Sequence, residues 1–114
     1  MRKLSVIGLV LILSACQYNV ASEQEPEGCE IPEVPTYSAD IKQIIDTRCA
    51  TPICHTPAGD APGDFTNYEG MESYLNSGFF ATRVLEDMDM PPSSSLGDCD
   101  LEKIETWINQ GAQE

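Results

Sequence analysis

Cys49, Cys54 and His55 lie in the segment Cys49-Ala50-Thr51-Pro52-Ile53-Cys54-His55, which puts two thiols and an imidazole within reach of one group. Three kinds of chemistry use such a set. Two thiols can add to the vinyl groups of a haem, and a histidine directly after the second thiol can then ligate the iron. Adjacency matters because the second thioether fixes the backbone at the haem edge. The usual spacing for that attachment is C-x-x-C-H. Here it is C-x4-C-H, the longer spacing of some c-type haem sites, and two additional residues must bulge out between the thioethers. Cysteines of an exported chain can instead form disulfides. They can also bind zinc, but adjacent Cys54 and His55 are awkward ligands for one tetrahedral ion, and the usual Cys/His zinc spacings are missing.

His55 is the only histidine of the chain. A low-spin haem needs a second axial ligand, and within one chain that leaves methionine. Met88-Asp89-Met90-Pro91-Pro92 supplies the candidates. Pro91 restricts Met90 to an extended conformation and the two prolines stiffen the loop, so a weak thioether ligand is presented at lower entropic cost. Met90 is therefore the expected distal ligand, Met88 its rival, and Met71 a distant third. His/Met ligation raises a haem's reduction potential. The plain alternative is that both loop methionines are surface or gap-filling residues.

The chain contains five cysteines, and the first, Cys16, has a different setting. Arg2 and Lys3 precede an apolar run from Val6 to Leu13, followed by Leu13-Ser14-Ala15-Cys16. The run is too short to span a bilayer, and a basic start with small residues at its end has the form of a secretory signal. The last four residues resemble a bacterial lipobox. That resemblance implies that residues 1–15 are a lipoprotein signal peptide and that Cys16 is acylated as the new N-terminus, an anchor that holds stably when more than one acyl chain is present. Gln17 follows the modified cysteine in place of an inner-membrane retention aspartate, which favours the outer membrane, facing the periplasm or the cell surface.

Residues 16–36 read as an acidic tether, with several glutamates, three prolines and few large apolar groups. The folded part is expected over 37–114. Ser38 can cap a first helix in which Ile41, Ile44 and Ile45 share a face, running to about Arg48 and delivering Cys49 at its end. Thr51 to Asp64 reads as loop. Asn67 can cap a helix with Met71, Tyr74 and Leu75. Gly78 separates it from Phe79 to Glu86, and Met88 to Gly97 is loop again. Asp98 or Asp100 can cap a last helix with Glu102 in its first turn. Leu101, Ile104 and Ile108 form its apolar face, Trp107 lies beside it, and Gly111 ends it. No β pattern is present, so the expected fold is all-α with long loops. Its core is thin enough to need a staple.

Taken in order, Tyr37-Ser38-Ala39-Asp40-Ile41, Cys49 to His55, Met90-Pro91-Pro92 and Trp107-Ile108-Asn109-Gln110-Gly111-Ala112 resemble a class I mono-haem cytochrome c domain, over roughly residues 37–112. The resemblance is closest to domains found in bacterial lipoproteins. It implies one covalent haem c per chain, thioethers to Cys49 and Cys54, His55 and Met90 on the iron, and a first and last helix that cross with Trp107 packed at the crossing. It implies an electron carrier, with no catalytic acid, base or nucleophile and no second histidine for peroxide chemistry. Cys29 and Cys99 are then the remaining pair, and a disulfide between them would tie the start of the domain to the start of the last helix. Other readings stay open. One is a haem enzyme or sensor with an open sixth site. Another is a non-haem lipoprotein stapled by two disulfides, for which four cysteines allow three pairings.

The charge restricts partners. The chain has 19 acidic and 6 basic residues, a net charge of −13. Loss of Arg2 and Lys3 with the signal would bring it to about −15. Such a surface argues against nucleic acid or anionic lipid. It suits redox partner proteins with a basic docking face, alongside attachment to a lipid membrane through Cys16.

Overall fold

Thr36 opens the first helical element of the computed structural model, which describes residues 28–92 and 95–114. The expected signal peptide, the expected acylation site Cys16 and most of the expected tether lie outside the described residues. Thr36 has extended backbone, and its hydroxyl accepts a hydrogen bond from the Ala39 amide. In return the Asp40 carboxylate accepts one from the Thr36 amide at 2.9 Å. This reciprocal cap starts the helix two residues before the expected Ser38, which lies inside it. Tyr37–Ile41 forms a π-helical turn that runs straight into α1, Lys42–Arg48. The earlier start has a packing cause. It brings the Tyr37 ring into the interior, 5.5 Å from Tyr68 and 6.2 Å from Trp107 between ring centres.

Asn67 caps α2, Tyr68–Asn76, by accepting from the Gly70 amide at 2.9 Å. Gly78, in the left-handed region at φ 74°, ends that run and begins the next. The short α3, Phe79–Ala81, continues into a second π-helical turn, Thr82–Glu86. The last helix, α4, spans Asp98–Asn109. Its N-cap is Gly97, with no side-chain cap, and Asp98 and Asp100 both fall in the first turn. Neither aspartate is the cap, and Glu102 belongs to the second turn. Here the N-terminal end of the helix dipole is met by the charge of the two carboxylates. Gly111, at φ 94°, turns the chain after the helix.

Among the described residues every regular element is helical, as expected, and no helix is long and apolar enough to cross a membrane. The core is built from Ile41, Ile44 and Ile45, Met71, Phe80 and Val84, and Ile104 with Trp107. Ile41, Ile45, Met71, Ile104 and Trp107 are solvent-free; each such side chain contributes about 2 kcal/mol by burial. The first helical turn packs on α4, α2 on α3, and the second π turn on α4. The carbonyls of the C-terminal segment accept three bonds from this core. The Tyr68 hydroxyl donates to the Ala112 carbonyl, and the Trp107 indole and the Tyr37 amide both donate to the Gln113 carbonyl.

Cys29 and Cys99 form a disulfide, with S–S 2.04 Å. It joins the stretch before the first helix to the first turn of α4. Pro35, also before the first helix, is fully buried. The end of the segment read as tether is thus attached to the domain.

Candidate haem site

The Arg48–Asp64 stretch supplies one side of the site. Cys49 is the C-cap of α1, and its amide donates to Ile45. The chain then loops and returns on itself, because the His55 amide donates to the Cys49 carbonyl at 3.1 Å. That bond closes the bulge made by the two additional residues between the cysteines. Ile53, at its tip, is 77% exposed. Gly59 packs directly on the Cys54 backbone, where any Cβ would overlap the Cys54 carbonyl. Larger residues at that position are therefore incompatible with this loop. The Phe65 amide donates to the His55 carbonyl at 2.9 Å, tying the far end of the loop to its start.

His55 is fixed in two ways. Its Nδ1 lies 2.7 Å from the Pro62 carbonyl oxygen. A carbonyl only accepts, so Nδ1 carries the proton of the neutral ring and Nε2 keeps its lone pair for a ligand. The ring also stacks on Phe65, with centres 4.2 Å apart and planes 8° from parallel. Phe65 is held edge-on by Tyr74 and Phe80.

A cavity of about 250 Å³ opens beside these groups. Cys49, Cys54 and His55 line it from one segment, Phe65, Phe80 and Val84 give it apolar walls, and Met90-Pro91-Pro92 closes it from a third region of the chain. Its walls are almost wholly carbon; the cationic side chains on it are Arg48 and Arg83. The four expected haem-binding residues are thus brought to one cavity from positions 41 residues apart. The methionines separate clearly. Met90 is half-buried on the cavity, Met88 is 67% exposed and does not line it, and Met71 is buried in α2 away from it.

Cys49 and Cys54 are free thiols in this fold. Burial, with the neighbouring Cys54 a smaller cause, pushes the Cys49 thiol up to about 11, so it stays neutral at ordinary pH. Among the described residues no three His, Cys, Asp or Glu side chains converge as ligands around a bare ion would. Cys49, Cys54 and His55 surround a space rather than a point. An apolar cavity edged by two thiols, a histidine with a free Nε2 and a methionine thioether fits a flat, largely apolar macrocycle that takes nitrogen and sulfur ligands.

Several lining residues carried little signal in the sequence. Pro62 belongs to a loop and Arg83 to a helix face whose partners are not set by periodicity. Phe65 was missed as well, and the one signal that could have found it is an aromatic directly after the Thr51–Asp64 loop. Compared with known proteins, the chain matches no protein-family model, no curated protein and no solved structure.

Proposed function

We propose that the protein is a membrane-anchored electron carrier with one covalent haem c, of the class I mono-haem cytochrome c type. The observation that carries this reading is the convergence of Cys49, Cys54, His55 and Met90 on one apolar cavity. Each thiol would add across a vinyl group, its sulfur bonding one carbon and its hydrogen going to the other, with no net oxidation. His55 would bind the iron through Nε2, oriented by the Pro62 carbonyl and the Phe65 face. Met90 would offer its sulfur from the proline-braced loop. The bound haem supplies one-electron chemistry at its iron. The residues contribute attachment, ligand choice and the exclusion of water, and the last of these favours the less charged, reduced state.

The packing of the first helical turn on the last helix supports the same reading, since Trp107 meets Tyr37 there. A lipid on Cys16 would hold the carrier at a membrane, in the outer membrane by the residue that follows, with the remaining tether lifting it toward partners. The Cys29–Cys99 disulfide alone is also compatible with a non-haem, stapled lipoprotein. That alternative calls for a second disulfide between Cys49 and Cys54, which are free thiols in this fold, and it leaves the cavity without a role.

The test is to express the full chain with periplasmic maturation, then record its intact mass and its reduced-minus-oxidised spectrum. The expected result is a mass increased by one haem and a c-type spectrum that is low-spin in both states. A mass lowered only by disulfide hydrogens, without haem absorption, overturns the proposal. A high-spin spectrum with rapid carbon monoxide binding moves it to a sensor or enzyme with an open sixth site.

A further inference from the structure

We propose that Arg83 is a positioning residue for Met90, acting through an ion pair with Asp89; the inference rests on the haem reading above. Arg83 holds the methionine loop at two levels. Its backbone carbonyl accepts from the amides of both Asp89 and Met90, at 3.2 and 3.3 Å. Its guanidinium meets the Asp89 carboxylate at 2.7 Å. The guanidinium is itself placed over the face of Phe79, 5.7 Å from the ring centre, so the group that grips Asp89 is held from behind.

The location gives this clamp a role. Arg83 lies on the π-helical turn Thr82–Glu86, and both Arg83 and Met90 line the cavity. Between them the chain passes through Met88, whose backbone is in the left-handed region at φ 52°. That conformation is unfavourable for methionine, so this reversal needs an external hold. Pro91 and Pro92 stiffen the loop after Met90, and Arg83 anchors it before. A thioether is a weak ligand, so the time it spends on the metal depends on how well the loop is held.

A competing ligand reads this directly. External imidazole must displace Met90, so its apparent affinity rises with the fraction of time the loop stands open. The matured, full-length protein is titrated with imidazole as wild type, Arg83→Gln, Asp89→Asn, the double variant and Arg83→Lys. The pair is partly exposed, with side-chain accessibilities of 35% and 44%. Loss of such a pair is worth about a two- to fivefold change. Each single variant should therefore bind imidazole about two- to fivefold more tightly, and the sulfur-to-iron absorption should fade at a lower temperature. The double variant should show no more than either single, because the two side chains act as one unit. Arg83→Lys, which keeps the charge, should recover most of the wild-type behaviour. Unchanged imidazole affinity in both single variants, or fully additive effects in the double, overturns the proposal. A wild-type protein without covalent haem overturns this inference together with the haem reading, and its spectrum distinguishes that failure from the first.

Discussion

Met88 and Met90 are two positions apart, yet the fold treats them differently. Met90 is half-buried on the cavity, its amide bonded to Arg83 and its carbonyl side braced by Pro91. Met88 sits on the outside of the reversal, mostly in solvent. If Met90 supplies the sulfur ligand, Met90→Ala removes the weak sulfur-to-iron absorption and lowers the reduction potential, because Met/His ligation is what raises it. Met88→Ala leaves both unchanged. Optical spectroscopy with potentiometry on the two variants checks this, and retention of the band in Met90→Ala would transfer the assignment to Met88. At this scale the sequence singled out the candidate ligands but not the groups that hold them. His55 stood out as the sole histidine. Pro62 and Phe65, which fix its tautomer and ring plane, follow seven and ten residues later through an aperiodic loop, and only the folded chain shows that they touch it.

At the scale of elements, apolar periodicity found the helices, because burial of one face determines where they lie. Ile41, Ile44 and Ile45, Met71, and Ile104 all point inward as their spacing required. Helix starts were less legible. Thr36 and Ser38 are both competent caps, and the choice depends on bringing Tyr37 onto Trp107, a partner 70 residues away. At α4 two aspartates fit the cap pattern, yet the backbone of Gly97 takes the position. Of the cysteine uses expected, the fold bears on one pairing, and Cys29 and Cys99 do pair. That disulfide closes a loop of sequence separation 70. By the chain-entropy model its removal should cost about 4 kcal/mol. The Cys29→Ser/Cys99→Ser variant is accordingly expected to unfold at markedly lower denaturant concentration with the slope little changed, and urea titration followed by helix circular dichroism measures it. A midpoint equal to that of the wild type would show that the core alone holds α4 in place.

At the scale of the whole molecule, charge sets how the cavity mouth is approached. The chain carries −13. Of the few cations in the folded part, Lys42 pairs with Asp46 and Arg83 with Asp89. The other two are Arg48, on the cavity, and Lys103; with 19 acidic residues against 6 basic, the long-range field is set by the carboxylates. An oppositely charged reactant is concentrated near such a surface, and a like-charged one is kept away. Salt weakens both effects as the screening length shrinks from about 30 Å at 0.01 M to about 8 Å at 0.15 M. Steering of this kind changes association rates by roughly tenfold or more. Electron exchange of the matured protein with a small cationic metal complex should therefore slow as salt is raised, while exchange with an anionic complex of similar potential should speed up. Stopped-flow measurements at several ionic strengths give both slopes. Opposite signs would establish an acidic approach surface, of the kind that a basic docking face complements. Equal slopes would mean that the carboxylates lie away from the cavity and serve solubility alone.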